Sequence, residues 1–124
     1  MRVFKSRAFA QFSHKNRIAD ADLCAAIEDM LAGTVDADLG GGVFKQRLRR
    51  KGQGKSGGFR SIILLRRQTI SMFAYGFAKN ERDNIDRSEL IEFRTLAKEV
   101  FQYAEKDIDR LLSTGALEEI CAGR

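Results

Sequence analysis

Positively charged side chains at alternate positions mark the middle of the chain. Lys45 and Arg47 are two residues apart, so on a strand both side chains leave the same face of a sheet. Arg60 follows a glycine-rich run and can lie across from them on the neighbouring strand. Like charges that meet across a sheet are destabilising unless an anion lies between them. This group therefore predicts a site for phosphates, with an outward-facing, solvated strand surface as the alternative.

A basic site of this kind favours cleavage of RNA over cleavage of DNA. The 2′-hydroxyl of RNA can attack the adjacent phosphate, which needs alignment, cations around the developing negative charge and one group that moves protons. A lysine crowded by arginines gives up its proton more easily and can serve as the base. DNA lacks the attacking hydroxyl, so the site predicts ribonuclease chemistry.

Few side chains are available to hold a metal or a cofactor. The chain has two cysteines, Cys24 and Cys121, and a single histidine, His14, which cannot supply a zinc site of the usual kind. We expect the cysteines to be reduced rather than bridged, as in most cytosolic proteins. His14 is interpreted as a surface residue of a helix. The sequence thus predicts no metal site and no cofactor.

The run Gly54-Lys55-Ser56 has part of the pattern of a nucleotide-binding phosphate loop. That motif needs a glycine at position 49, which is Arg, and a helix after the lysine, where a strand is expected instead. We therefore interpret residues 51–58 as a hairpin turn whose lysines can follow a phosphodiester backbone. With Arg49 at the end of the preceding strand, the residues of this segment expected to bind RNA are Lys51 and Lys55.

The net charge of +5 is concentrated in one part of the chain. Residues 1–42 hold five Lys/Arg and six Asp/Glu, residues 43–80 hold ten and none, and residues 81–124 hold seven and eleven. So one-sided a segment favours a polyanionic partner. No apolar run is long enough to span a membrane and the N-terminus does not resemble a signal peptide, so we expect a cytoplasmic protein with no membrane partner.

Hydrophobic periodicity predicts a single α+β domain over residues 1–124. A short strand at 3–5 precedes helices at 9–15 and 20–31, the second capped by Asp20 or Asp22. Strands at 43–50, 59–66 and 69–79 are expected to form an antiparallel meander. On the last of these strands, the side chains expected on one face are Phe73, Tyr75 and Phe77.

The C-terminal third predicts a helix. An apolar stripe at steps of three and four runs from Leu90 to Leu111, with Asp86 or Ser88 as the cap and Gly115 after the end. The expected architecture is a small antiparallel sheet with two N-terminal helices and a long C-terminal helix.

Three strings in and after the basic segment resemble the RelE/ParE superfamily of toxins. They are Gly-Val-Phe-Lys-Gln-Arg at 42–47, Gly-Lys-Ser-Gly-Gly-Phe-Arg at 54–60 and Phe-Ala-Tyr-Gly-Phe-Ala-Lys-Asn-Glu-Arg at 73–82. The chain looks most similar to the HigB-like branch, which carries the same glycine-rich turn and a Phe-Ala-Lys strand end. The element order also fits a RelE-like fold over nearly the whole chain.

This resemblance implies the toxin of a type II toxin–antitoxin pair, a metal-independent endoribonuclease that cleaves mRNA on the ribosome. Its other partner would be a cognate antitoxin protein, for which a helix-turn-helix protein is one candidate. Carried over by position, Lys45 is the base, Arg47 binds the phosphate and Arg60 stabilises the transition state. A further basic cluster, which completes the implied catalytic and RNA-binding set, consists of Lys79 and Arg82.

The chain departs from RelE at two positions. Asn80 stands where RelE has an arginine and Asp86 lies near the position of its tyrosine, residues that contribute proton transfer and base stacking there. The residues that can replace them are Arg82 or Lys79 for the arginine, and Tyr75 or Phe77 for the tyrosine.

Two other functions stay open. A ParE-like toxin with the same fold would inhibit DNA gyrase and cleave nothing, because fold alone does not determine activity. A basic regulator would bind DNA and RNA alike in a salt-sensitive way, without cleavage. The trio Lys45, Arg47 and Arg60 favours the nuclease, because gyrase inhibition has no need of a phosphate clamp.

Overall fold

Six strands and four helices make up the described part of the chain. The structure is a computed structural model that describes residues 1–48 and 58–123. The elements are β1 (Arg2–Ser6), α1 (Arg7–Lys15), α2 (Asp20–Leu31), β2 (Ala37–Asp38), β3 (Val43–Leu48), β4 (Phe59–Arg66), β5 (Ile70–Ala78), α3 (Arg87–Val100), α4 (Glu105–Thr114) and β6 (Leu117–Ile120).

All six strands form one sheet in the order β2-β3-β4-β5-β1-β6. Strands β3, β4 and β5 pair antiparallel, so the predicted meander is confirmed. Strand β1 pairs parallel with β5, and β6 pairs antiparallel with β1. The short strands β2 and β6 were not predicted, and together with β1 they widen the meander on both sides.

Helices cover both faces of the sheet, and the sheet separates two apolar cores. On one face, α1 and α2 pack on the sheet through residues such as Phe9, Leu23 and Phe73. On the other face, α3 and α4 pack through Ala97, Val100 and Ile108. Because both of its faces are covered, β4 is buried from Phe59 to Leu65. The predicted α+β class is confirmed.

A β-bulge in β5 overturns the prediction that its three aromatic residues share a face. Ile62 lies opposite Tyr75 while Ile63 lies opposite Phe73, so Ala74 is the extra residue. An added residue reverses the alternation of the side chains that follow. Phe73 therefore packs beneath α1, whereas Tyr75 and Phe77 lie on the face of α3.

The prediction of one long C-terminal helix was also wrong, because the chain turns at residues 101–104 and forms two helices. A continuous helix from Arg87 to Thr114 would be roughly 40 Å long at 1.5 Å per residue. Two shorter helices instead keep both halves of the apolar stripe on the sheet. The backbone N–H of Ala104 donates to Asp107 Oδ2 at 2.8 Å and helps to start α4.

The expected helix ends are partly confirmed. Asp86 caps α3 by accepting from the backbone N–H of Glu89, and Gly115 ends α4 with a φ of 79°. The cap of α2, however, is Ala19 and not Asp20 or Asp22, which lie in the first turn. There the two carboxylates still interact favourably with the helix dipole.

The prediction of reduced cysteines is contradicted, because Cys24 and Cys121 form a disulfide. Spacing in the sequence gave no sign of this contact. Cys24 is buried in α2, and Cys121 follows β6 at the edge of the same apolar core. The bridge therefore ties a helix near the N-terminus to the last strand of the sheet.

Candidate functional site

Strand register brings three cations together on the face covered by α3. Arg47 on β3 lies directly opposite Arg60 on β4, and Lys45 lies opposite Ile62 on the same face. Directly opposite side chains have Cβ atoms about 5 Å apart. We name Lys45, Arg47 and Arg60 the cation face, and the sequence predicted this juxtaposition correctly.

The three cations differ in their exposure and in their partners. Arg60 is 6% exposed, while Lys45 is half-buried and Arg47 is exposed. Among the described residues, the polar contacts of Arg60 are long, from Nε to Asp36 Oδ2 at 3.8 Å and from a terminal nitrogen to the Phe59 carbonyl at 3.5 Å. Within residues 1–48 and 58–123, Lys45 and Arg47 form no ion pair.

The face therefore carries positive charge that the described carboxylates barely neutralise. A buried guanidinium needs hydrogen-bond acceptors, and its five donors outnumber the contacts of Arg60. A phosphate placed between Arg47 and Arg60 would supply acceptors to both. The sequence gave no indication of Asp36, which reaches Arg60 from the loop before β2.

Arg82 lies beyond the end of β5 in a network of its own. Its guanidinium donates to both carboxylate oxygens of Glu89, at 2.5 and 3.2 Å, and to the Tyr75 hydroxyl at 3.2 Å. It also lies over the rings of Tyr75 and Phe77, at 5.8 and 5.6 Å from the ring centroids. The carboxylate of Glu89 raises the pKa of Arg82, which stays cationic.

The start of α3 explains what Asp86 does in this chain. Asp86 accepts from the backbone N–H of Glu89, and Glu89 accepts from the backbone N–H of Asp86, which forms a capping box. Asp86 is thus engaged in helix capping. The motif was visible in the sequence as an acidic residue three positions after a cap, but the capture of Arg82 by Glu89 was not.

Of the remaining predicted residues, some are exposed and others lie outside the described part of the chain. Lys79 is exposed just after β5, and its backbone N–H donates to the carbonyl of Gly58. His14 is exposed in the last turn of α1, as expected for a surface residue. The predicted RNA-binding residues that lie outside the described residues are Arg49, Lys51 and Lys55.

Acid should weaken the start of α3. The hydrogen bonds from Arg82 lower the pKa of Glu89 below its ordinary value of 4.5, and the backbone N–H of Glu89 lowers that of Asp86 below 3.8. A group whose pKa is lowered in the folded state stabilises the fold at pH values above its ordinary pKa. This contribution disappears as the pH falls through the lowered pKa.

We therefore expect the thermal midpoint to fall on acidification below about pH 5. Glu89→Gln should be less stable than the wild type at pH 7 and should lose part of this pH dependence. Glu92→Gln, on the exposed side of the same helix, is the control. Calorimetry at several pH values measures both, and identical pH profiles for the wild type and Glu89→Gln would contradict the expectation.

The described residues hold no group of three or more His, Cys, Asp and Glu side chains that could bind a metal ion. In the same part of the chain, no helix is long and apolar enough to cross a membrane.

Comparison with known families agrees with this geometry. A family model described as the RelE toxin of the RelE/RelB toxin–antitoxin system matches residues 1–120. No individual curated protein matches the chain significantly. Since the family model spans nearly the whole sheet and all four helices, the chain belongs to the RelE toxin family and is the toxin of a toxin–antitoxin system.

Proposed function

We propose that this toxin is a metal-independent endoribonuclease that cleaves mRNA and thereby inhibits translation. The observation that carries the proposal is the cation face, where Arg47 and Arg60 meet across two strands beside Lys45. Toxins of the RelE family act in general as endoribonucleases. A site built from cations suits a reaction whose transition state concentrates negative charge on a phosphate.

Each cation has a distinct role in the proposed reaction. Lys45 takes the proton of the 2′-hydroxyl as that oxygen attacks the adjacent phosphorus. Exposed Arg47 binds the phosphate as it arrives. Buried Arg60 donates to the oxygens on which charge develops, in surroundings where water screens the interaction poorly. The products are a 2′,3′-cyclic phosphate and a free 5′-hydroxyl.

Arg82 contributes from the rim of the site. Its position over Tyr75 and Phe77 holds the guanidinium rigidly, and its attraction for phosphate is reduced by Glu89. We assign it electrostatic stabilisation of the leaving group, with Lys79 binding the backbone of the RNA nearby. A proton donor for the leaving 5′-oxygen that lies within reach of this network is the Tyr75 hydroxyl.

The proposed setting is the ribosome in the cytoplasm, where mRNA is held extended and single-stranded. The HigB-like branch and a helix-turn-helix antitoxin stay predictions from the sequence. An antitoxin that covers the cation face would neutralise the toxin by excluding RNA from it. The gyrase-inhibiting and purely binding alternatives give different outcomes in the experiment that follows.

Primer extension on cellular mRNA after brief induction of the toxin tests the proposal. We expect new, discrete 5′ ends inside translated regions within minutes, because cleavage leaves a defined end at each cut. Intact mRNA in growth-arrested cells would contradict the nuclease and favour gyrase inhibition. Intact mRNA with normal growth would leave only a basic binding domain.

A further inference from the structure

Strand β5 has a free backbone edge next to the cation face. Strand β1 pairs only with residues 70–73 of β5, whereas β4 pairs with β5 up to Ala78. The hydroxyl of Ser6, at the end of β1, donates to the Ala74 carbonyl at 3.1 Å, and along residues 75–78 no described strand occupies the edge on the β1 side. The edge opens into a cleft of about 180 Å³ between β5 and the end of α1. We name it the edge cleft.

Backbone groups of β5 point into the edge cleft. The N–H of Lys79 donates to the carbonyl of Gly58, so the alternation of an antiparallel ladder turns the N–H groups of Gly76 and Ala78 toward the other edge. The Ala78 carbonyl there already accepts from Glu81 and Arg82. The edge thus offers donors and one acceptor, the Gly76 carbonyl, for an incoming planar ligand.

Aromatic surface and mixed charge complete the edge cleft. Phe12 of α1 is half-buried, and a Cβ built on Gly76 would lie 2.4 Å from its ring carbons, so only glycine allows this close approach. Lys15 and Arg82 supply cations at the rim, and Glu81 supplies an acceptor. Flat apolar walls with donors and acceptors at the margin are the features that bind an unstacked nucleobase.

We propose that the edge cleft is a nucleobase subsite, which holds a base next to the cleaved phosphodiester. This inference rests on the proposed function. Phe77, which lines the cleft, lies opposite Arg60 in the register, so the strand that bounds the cleft is one strand spacing, about 4.8 Å, from the strand that carries Arg60. One nucleotide can therefore place its phosphate on the cation face and its base in the cleft.

The size of the edge cleft and its short edge favour a base over other occupants. Pockets for drug-sized ligands begin near roughly 300 Å³, so 180 Å³ suits a single ring system. A peptide strand added to β5 would find only residues 75–78 free. Stacking on aromatic rings tolerates any base, and the polar margin then favours one base over another.

Photocrosslinking tests the subsite directly. Oligouridylate that carries 4-thiouridine is irradiated with the purified toxin, and tryptic peptides that carry nucleotide adducts are identified by mass spectrometry. Peptide 8–15 is diagnostic because α1 lies on the face of the sheet opposite the cation face. We expect an adduct on this peptide at Phe12, since its other aromatic residue, Phe9, is fully buried.

A matched pair of variants distinguishes the edge cleft from chance contact. Ala78→Leu fills the cleft and should reduce the adduct on peptide 8–15 about tenfold, the loss of a stacked base. Ala10→Leu adds the same bulk to α1, where it lines a different cleft, and should leave the adduct unchanged. Circular dichroism confirms that both variants are folded.

The other outcomes overturn the inference. Adducts elsewhere but none on peptide 8–15, or equal loss in both variants, would exclude the edge cleft while the cation face stays an RNA site. An Ala78→Leu variant with wild-type adducts that fails to bind an antitoxin would assign the edge cleft to a protein. No adduct on any peptide would contradict the proposed function together with the subsite.

Discussion

Replacing Arg60 by alanine is expected to reduce RNA cleavage by about 100- to 1,000-fold, the effect of removing one preorganised donor from a charge-stabilising site. Arg60 is the most buried member of the cation face, so its charge is the least screened. Its contacts with Asp36 and Phe59 are long, so the substitution breaks no short hydrogen bond among the described residues. Cleavage of mRNA and growth arrest in cells measure the effect.

Two further variants show whether the geometry or only the charge of Arg60 matters. Arg66→Ala removes a cation from the exposed end of the same strand and should cleave like the wild type. Arg60→Lys keeps the charge but loses the planar donor fork, so we expect it to recover only part of the activity. Full toxicity of a folded Arg60→Ala variant would refute the proposed site.

The local parts of the site could be predicted from the sequence. Alternation along β3 and the turn predicted before β4 placed Lys45, Arg47 and Arg60 on one face, and the register confirms that they share it. Such patterns are reliable because a strand has a period of two and consecutive strands joined by a turn pair with each other. The cap at Asp86 was predictable because a capping box joins residues only three positions apart.

The features that were wrong depend on contacts between distant parts of the chain. The bulge at Ala74 interrupts the alternation without a change in hydropathy, so Phe73 was wrongly assigned to the same face as Tyr75 and Phe77. Strand β6 is four residues long and pairs with β1 from the other end of the chain. The break before Ala104 contains neither proline nor glycine, so the apolar stripe looked continuous.

The electrostatic partners of the site were invisible for a related reason. Glu89 reaches back across the turn between β5 and α3 to hold Arg82, and Asp36 approaches Arg60 from a loop. A charge map counts both carboxylates but cannot place them. Consequently the sequence named Arg82 as a catalytic residue without its hydrogen bonds to Glu89 and Tyr75, on which its proposed role at the rim of the site rests.

Reduction of the disulfide is expected to lower the free energy of unfolding by about 2–5 kcal/mol, because the bridge restricts the unfolded chain over a long loop. Cys24 and Cys121 are 97 residues apart, and so long a loop predicts a loss near the upper end of this range. Denaturant unfolding with and without a thiol reductant measures the difference. The Cys24→Ser/Cys121→Ser double variant is the control, since a reductant should leave its stability unchanged.

Cleavage should respond differently from stability. The bridge joins α2 to the segment after β6 within the core under α1 and α2, whereas the cation face lies on the other side of the sheet. We therefore expect the folded double variant to cleave RNA at the wild-type rate. Loss of cleavage in a fully folded double variant would show that the bridge shapes the site, and equal stability of the oxidised and reduced wild type would contradict the first expectation.

The effect of reducing the disulfide bears on the compartment in which the toxin can act. Ribosomes work in the reducing cytoplasm, where thiols are normally kept free. Small domains have unfolding free energies of about 5–15 kcal/mol. A domain that loses about 2–5 kcal/mol therefore stays folded unless it starts at the low end of this range. Leu23, Ile27 and Met30 hold α2 on the sheet without the bridge. A reduced toxin that stays folded and cleaves RNA would reconcile the disulfide with action on the ribosome, whereas a reduced toxin that unfolds at 37 °C would refute that setting unless the antitoxin restores the fold.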